Sequence, residues 1–195
     1  MIAQALSLAY AGGLSPYVTI ALVGLASRMG WADTLPGSLH ALASPWIVGI
    51  AATLAAVEFL ATLIPWVASA WDTVHTLIRP PAAAALAVAA AWHADPALIA
   101  VVGLLGGILG LSTHLTKLGL RVAIDSSPEP VTNGAMNVAE VGVIASLTYF
   151  VWHHPVATLT IALILLVTMI FAVHAIWRAI QRFLSGGWRE SGIRS

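Results

Sequence analysis

The fold is decided by a stretch near the middle of the chain, PALIAVVGLLGGILGLSTHLTKLGLR, which comprises residues 96–121. Its first part, residues 96–113, contains no ionisable side chain. An apolar helix of roughly 20 residues is long enough to cross the hydrocarbon core of a bilayer. Two pairs of glycines, Gly103/Gly107 and Gly106/Gly110, have the spacing that allows the backbones of neighbouring helices to approach closely. The stretch therefore predicts a membrane helix that packs tightly against its neighbours.

The composition of the whole chain agrees with a membrane protein. Of its 195 residues, 59% are hydrophobic and only 8% are charged, whereas a soluble domain normally has about 25% charged residues. The formal net charge is zero, which argues against a nucleic-acid-binding protein. The chain has no cysteine, which excludes disulfides, iron–sulfur clusters, thiolate metal sites and a cysteine nucleophile. No metal and no cofactor are expected.

Apolar segments separated by breakers predict an all-α polytopic membrane protein with about six transmembrane helices. The first is interrupted by Gly12-Gly13-Leu14-Ser15-Pro16, which predicts a broken helix. A polar loop follows at residues 30–44. The six predicted crossings are residues 5–27, 45–64, 80–92, 96–124, 131–152 and 155–181.

The region before the third crossing is ambiguous. Ser69-x-x-Asp72 resembles a capping box and predicts a short amphipathic helix that ends at Arg79, before Pro80-Pro81, and lies at the membrane interface. The alanine-rich run that follows, residues 80–92, would then be about 20 Å long, which is short for a crossing. It either uses residues before the prolines or re-enters the membrane.

We predict a single transmembrane domain, residues 1–182, followed by a C-terminal tail, residues 183–195. Arginines cluster at the C-terminus, and the positive-inside rule places that end in the cytoplasm. Six crossings then also place the N-terminus in the cytoplasm. The eight tryptophans lie mostly at the ends of the predicted crossings, as in an interfacial belt.

Two helices carry ordered polar stripes, although ionisable groups inside a membrane are costly. Residues at i, i+3 or i+4, and i+7 share one helical face. The first stripe consists of His114, Lys117 and Arg121, and the second of Asn133, Asn137 and Glu140. A short loop joins the helices, so they should be antiparallel with the stripes facing each other.

Distance from that loop predicts three pairs: Arg121 with Asn133, Lys117 with Asn137, and His114 with Glu140. Lys117 and Arg121 could instead extend their side chains to the cytoplasmic interface. Glu140 is too deep for that explanation. Either it is functional, with Lys117 or His114 as its counter-ion, or it belongs to a buried ion pair that fixes helix packing.

The first half of the chain has a similar set of polar residues. Asp72, His75 and Arg79 repeat the spacing i, i+3, i+7, and Glu58 lies about twelve residues into its crossing. These matches suggest two inverted three-helix halves, residues 1–93 and 94–182. Inverted halves with a broken first helix are typical of secondary transporters.

The sequence also resembles a known family. The resemblance rests on Glu58-x6-Pro65-Trp66, on Asp72-x2-His75-Thr76-x2-Arg79-Pro80, on Thr113-His114-x2-Lys117-x-Gly119-Leu120-Arg121, and on Ser127-Pro128-Glu129-Pro130-x2-Asn133 with Glu140. These motifs are similar to those of the family known as domain of unknown function 4126, over about residues 5–182. The resemblance implies a multi-pass protein of the bacterial inner membrane with no assigned activity. Two acidic positions of the family pattern are replaced here by Val141 and Ala68.

The first functional hypothesis is a small secondary transporter or lipid flippase for a substrate that bears a phosphate or a carboxylate. Its predicted substrate-binding residues are His114, Lys117, Arg121, Ser126, Ser127, Asn133 and Asn137. Glu140 and Glu58 would carry a coupling proton, and Asp72, His75 and Arg79 would complete the buried charges.

A second hypothesis is a scaffold or assembly factor without transport activity, in which the buried charges only hold helices together. A third is an intramembrane lipid enzyme, for which His114, Glu140, Glu58 and His75 are the available ligands; we expect no enzyme. Expected partners are membrane lipids and the substrate, and the glycine-rich helix faces could mediate a homo-oligomer.

Overall fold

The computed structural model describes residues 1–32, 35, 37–125 and 130–186, and within them it contains helices and no strand. The all-α prediction is therefore confirmed. The helices are α1 (Ile2–Leu14), α2 (Pro16–Arg28), a 3-10 helix (Gly37–Ala43), α3 (Pro45–Ala61), α4 (Pro65–Ala90), α5 (Pro96–Asp125), α6 (Pro130–His153) and α7 (Pro155–Gly186).

Proline marks the start of every α-helix from α2 to α7. The first helical position suits proline because its N–H would have no partner there and its φ angle is already helical. The prolines therefore explain why the starts of α3, α5 and α7 could be predicted from the sequence.

The predicted break in the first helix lies at Ser15. Its backbone is extended, with φ −151° and ψ 112°, and its Oγ accepts a hydrogen bond of 3.2 Å from the Val18 amide. Ser15 thus ends α1 and caps α2. The break leaves the last carbonyl groups of α1 without helical partners.

α1 lies at the centre of the molecule. Its residues Ser7–Leu14 are all buried, and it packs against α4, α5, α6 and α7. α2 packs instead against α3, α6 and the 3-10 helix. The two parts of the broken helix therefore share α6 as a neighbour but otherwise pack mainly against different helices.

The closest helix packing involves the glycines of α5, as their spacing predicts. A Cβ atom at Gly106 would lie 2.6 Å from the Ala87 Cβ, and one at Gly110 would overlap the Ala83 Cβ of α4. On α1, a Cβ at Gly13 would lie 2.6 Å from the Gly110 carbonyl oxygen. Small side chains thus bring α1, α4 and α5 into backbone contact.

The prediction of a separate interfacial helix ending at Arg79 is wrong. α4 runs continuously through Pro80 and Pro81, so the alanine-rich run is the second half of a 26-residue helix. Ser69 and Asp72 lie inside this helix and form no capping box. The burial of Ala83, Ala87 and Ala90 against α1 and α5 outweighs the lost hydrogen bonds, as happens in membrane helices where neighbours support the backbone.

By length and composition, α5, α6 and α7 contain segments that could cross a membrane, and α1 and α3 are shorter apolar helices. Large apolar side chains face outward, including Trp66 at 87% and Leu77 at 81% exposure. Such a surface suits lipid contact and not water. The count of six crossings and the orientation of the termini stay predictions.

Candidate functional site

Among the described residues, six charged side chains from four helices meet in one buried network. α3 contributes Glu58, α4 contributes Asp72 and Arg79, α5 contributes Lys117 and Arg121, and α6 contributes Glu140. Three cations face three carboxylates, so the network is neutral. Neutrality is needed because an uncompensated charge in the interior would cost several kcal/mol.

Arg79 is at the centre of the most deeply buried part of the network. Its side chain is fully buried, and its Nη2 lies 2.5 Å from Glu58 Oε1 and 3.3 Å from Asp72 Oδ1. On the other side of Asp72, Oδ2 lies 3.0 Å from Nε of Arg121. The contacts of Asp72 are ion pairs and lack the alignment of hydrogen bonds, since neither of its oxygens has a hydrogen-bond donor. We expect their contribution to be mainly Coulombic.

His114 belongs to the same deeply buried part. Its Nδ1 lies 2.7 Å from Nη1 of Arg79, and its Nε2 lies 2.9 Å from Oγ1 of Thr76. Arginine can only donate, so Nδ1 accepts and the proton of the ring is on Nε2. The Thr76 hydroxyl in turn donates to the Asp72 carbonyl oxygen. This chain of bonds favours neutral His114, and we call Asp72, Arg79, His114 and Arg121 the sealed cluster.

Lys117 and Glu140 form the second part, which we call the cleft pair. Lys117 Nζ lies 2.6 Å from Glu140 Oε1 and 3.8 Å from Glu58 Oε1. It also donates a hydrogen bond of 3.1 Å to the carbonyl oxygen of Leu14, the last residue of α1. A helix C-terminus carries partial negative charge, so the broken end of α1 provides a further partner for the lysine.

Glu58 connects the sealed cluster to the cleft pair. One of its oxygens contacts both Arg79 and Lys117, and the other accepts a hydrogen bond from the Ser15 hydroxyl at the start of α2. The break between α1 and α2 therefore supplies a carbonyl acceptor to Lys117 and a hydroxyl donor to Glu58.

The C-terminus of α3 is capped by side chains from two other helices. Nη1 of Arg121 donates to the Thr62 carbonyl oxygen, at 3.2 Å. Nδ2 of Asn137 lies within hydrogen-bond distance of Oγ1 of Thr62 and of the Phe59 carbonyl oxygen, at 2.8 and 3.2 Å. These contacts satisfy groups that a helix end leaves open. Arg121 and Asn137 therefore stabilise the C-terminal end of α3.

His75 lies at the edge of the network. Its ring stacks on Trp71, with centroids 4.4 Å apart, and its Nδ1 donates to the Trp71 carbonyl oxygen. Nε2 is left to accept from the Tyr17 hydroxyl at 3.0 Å. His75 thus ties α4 to α2 beside the break.

Two clefts extend to the cleft pair, Lys117 and Glu140. The polar cleft is narrow and is lined by residues of α3 and α6 and of the start of α2, among them Ser15, Glu58 and Asn137. A larger cleft, of about 620 Å³, is lined mostly by apolar residues of α1, α5, α6 and α7, among them Tyr10 and Met169. Of the described residues, Lys117 and Glu140 are the two that line both clefts. The Glu140 side chain is 10% exposed, whereas that of Arg79 is 0% exposed.

The structure brings most predicted site residues together but changes their partners. Lys117 pairs with Glu140 and not with Asn137, and His114 contacts Arg79 and not Glu140. Arg121 pairs with Asp72 and not with Asn133. These three pairings were wrong because α5 packs mainly on α4 and α1 and has few contacts with α6. Lys117 and Arg121 are buried, so they do not extend to the interface.

Other predicted residues have simpler outcomes. Asn133 is buried one helical turn before Asn137. Ser126 and Ser127 lie outside the described residues. Sequence reasoning missed the roles of Ser15, Tyr17 and Thr62. The signal for Ser15 was present, since it lies in the predicted break, whereas Thr62 had no signal because its role depends on packing.

Comparison with known proteins gives one match. The family described as domain of unknown function (DUF4126) matches residues 2–175, which includes every residue of the network. No curated protein and no solved structure matches the chain.

Proposed function

We propose that this chain, which belongs to the family described as domain of unknown function (DUF4126), is a small proton-coupled transporter for an anionic substrate. The observation that carries the proposal is the cleft pair: a buried lysine and a buried carboxylate that both line two separate clefts. Ion pairs that only hold helices together have no need of such access.

The charge balance of the network suggests how proton and anion would be coupled. Protonation of Glu140 would leave three cations facing two carboxylates. This extra positive charge is unfavourable in a low-dielectric interior unless an anion enters to balance it. The proton and the anion would then bind together, and each would favour the binding of the other.

In this mechanism Lys117 binds the anion and Glu140 carries the proton. The protonated carboxyl group releases Lys117 Nζ, which keeps the Leu14 carbonyl oxygen as a partner and takes the anionic group in place of Glu140. A phosphate or a carboxylate offers the acceptor oxygens that a lysine ammonium binds. Glu58 stays ionised between Arg79 and Lys117 and keeps the lysine in position.

Transport also requires that access changes from one side of the pair to the other. The polar cleft lies beside α2 and α3 and the larger cleft beside α1 and α7, and the described residues that line both are Lys117 and Glu140. Rearrangement of this pair would open one cleft and close the other, with the broken helix as the element that bends.

The proposed topology has six crossings. α1 and α2 together form the first, and α3 to α7 form the others, with both termini in the cytoplasm of a bacterium. α3 and α6, the middle helices of the two proposed halves, each bring one carboxylate to Lys117, which is the relation expected of inverted halves.

The test uses purified protein in liposomes with a pH-sensitive dye inside. Inorganic phosphate, acetate and alkyl phosphates are added in turn, to the native protein and to Glu140→Gln. We expect anion-dependent proton uptake by the native protein and none by Glu140→Gln, which should still bind the anion.

Asp95→Asn is the matched control, because Asp95 is exposed at the start of α5, where its Oδ1 accepts from the Ala97 amide. Asparagine caps helices about as well as aspartate, so this variant should behave like the native protein. If no anion moves protons, and Glu140→Gln only lowers the melting temperature, the transporter proposal is wrong.

A lower melting temperature of Glu140→Gln without any movement of protons would favour the scaffold hypothesis. One observation supports it: the charges of the sealed cluster are buried and lie in ion pairs, as expected of charges that only fix helix packing. The liposome experiment separates the two candidates, because a scaffold exchanges no protons when anions are added.

A further inference from the structure

We infer that the anionic substrate is a single-chain amphiphile, which reaches the cleft pair sideways from the bilayer through an apolar groove between α2, α3 and α6. The inference rests on the proposed function for the role of Lys117 and Glu140. It adds the chemical class of the substrate and its route of entry.

The groove is large and entirely apolar. Its volume is about 1010 Å³, and its walls include Val18, Leu22 and Leu25 of α2, Val48 and Ala52 of α3, and Val141 of α6. From Val48 to Phe59 the groove follows α3 for eleven residues, or about 16 Å. This length suits an extended alkyl chain lying along the helix.

Small residues on α3 create the groove. Ala52, Ala55 and Ala56 line it where larger side chains would fill the space between α2 and α3. Ala52 and Ala56 are exposed, so the groove is open to the surroundings of the helix bundle. In a membrane these surroundings are lipid chains, and a substrate with an alkyl chain could enter directly from them.

The groove leads into the polar cleft. Val18, Ala55, Phe59 and Val141 line both spaces. Beyond these residues the lining changes from apolar to charged, and Glu58, Lys117 and Glu140 follow. The two spaces adjoin at these four residues, so a long apolar groove lies next to a short charged cleft, which is the pattern of an amphiphile.

The charged end also limits the head group. The polar cleft has free space for about one water molecule, so only a compact head such as a carboxylate or a phosphate could take the place that Glu140 vacates. An anionic head would replace the Glu140 carboxylate at Lys117 Nζ. A cationic head would instead meet Lys117, with Arg79 close behind Glu58. Fatty acids and alkyl phosphates share the required chemistry.

The test compares three probes on protein in phosphatidylcholine nanodiscs: dodecyl phosphate, inorganic phosphate and dodecyltrimethylammonium. Proton uptake and melting temperature are both measured, with empty nanodiscs to correct for partitioning. We expect dodecyl phosphate to half-saturate proton uptake at a total concentration at least about tenfold lower than inorganic phosphate, because its alkyl chain concentrates the head group in the bilayer, where the groove opens. Dodecyltrimethylammonium should cause no uptake.

Ala52→Trp fills the groove without touching the charges. It should raise the half-saturating concentration of dodecyl phosphate by about tenfold and leave that of inorganic phosphate unchanged. Ala100→Trp, on an exposed position of α5, is the matched control and should have no effect. If Ala52→Trp does not fold, Ala56→Leu makes a smaller obstruction in the same groove.

The outcomes distinguish the two proposals. Equal responses to inorganic and dodecyl phosphate, unchanged in Ala52→Trp, would overturn the amphiphile inference and leave the proton-coupled transporter standing. Dodecyl phosphate could instead raise the melting temperature of the native protein but not of Ala52→Trp, while neither phosphate causes proton uptake. This result would support binding of the alkyl chain in the groove and overturn the proposal that the transporter is proton-coupled. Proton uptake of equal size with dodecyltrimethylammonium would overturn the inference that the head group of the substrate is anionic.

Discussion

The sealed cluster and the cleft pair use the same chemistry in different surroundings. In the sealed cluster, Arg79 and Asp72 lie between α4 and α5, where glycine and alanine bring the backbones into contact. The cleft pair joins α5 to α6, two helices with few contacts, and clefts reach it from two sides. The comparison teaches that helix separation, and not the identity of the charged groups, decides whether an ion pair is enclosed or accessible.

The largest effect should come from breaking the sealed cluster at its centre. Arg79→Ala leaves Glu58 and Asp72 buried, with only the lysine and the second arginine to compensate them, and should cost about 3–5 kcal/mol of stability. Thermal unfolding in detergent micelles measures the loss. Arg28→Ala is the control, because Arg28 is exposed and, among the described residues, donates to the Ala43 carbonyl oxygen; it should change stability by less than about 0.5 kcal/mol. Similar melting temperatures for the two variants would contradict an enclosed cluster.

A pair of isosteric changes compares the two regions directly. Asp72→Asn should cost about 3 kcal/mol, since it leaves two buried arginines without one of their counter-ions. Glu140→Gln should cost only about 1–2 kcal/mol, because the amide oxygen still accepts from Lys117 and the clefts admit solvent. Chemical unfolding of both variants under the same conditions gives the difference. An equal loss would mean that Glu140 is as enclosed as Asp72.

A smaller effect should follow from separating α4 and α5. Gly110→Ala places a methyl group against Ala83 and should cost about 2 kcal/mol, by forcing the helices apart. Gly142→Ala on α6 is the control. Nothing lies within 4 Å of its new methyl group, and alanine favours the helix by about 1 kcal/mol relative to glycine. If Gly110→Ala is as stable as Gly142→Ala, close packing is not what seals the cluster.

Much of the site could be predicted from spacing within single helices. The stripes of α5 and α6 were visible because a face of an α-helix is fixed by its 3.6-residue repeat. The residues that pair with these stripes could not be predicted from the sequence. Arg121 meets Asp72, a residue of α4, because α4 lies against α5 where a simple hairpin of α5 and α6 was expected. The order of helices around a bundle depends on side-chain packing between them, and no local pattern records it.

The continuity of α4 was missed for a related reason. Pro80-Pro81 ends most helices of soluble proteins, because each proline removes a backbone hydrogen bond and obstructs the preceding turn. Here the alanines beyond Pro81 are buried against α1 and α5, and this burial exists only in the assembled bundle. That prolines end a helix holds for an isolated helix, whereas α1 and α5 support α4 here.

The order of the charges along the chain has a consequence for biosynthesis. When the first four helices have been made, the network contains two carboxylates and one arginine, so it carries one negative charge in excess. α5 then adds two cations and reverses the sign, and only Glu140 of α6 brings the sum to zero. Because excess charge is costly inside a bilayer, we expect the first five helices to reach their final packing only after α6 has been made. Assembly of the buried network would then require six helices together.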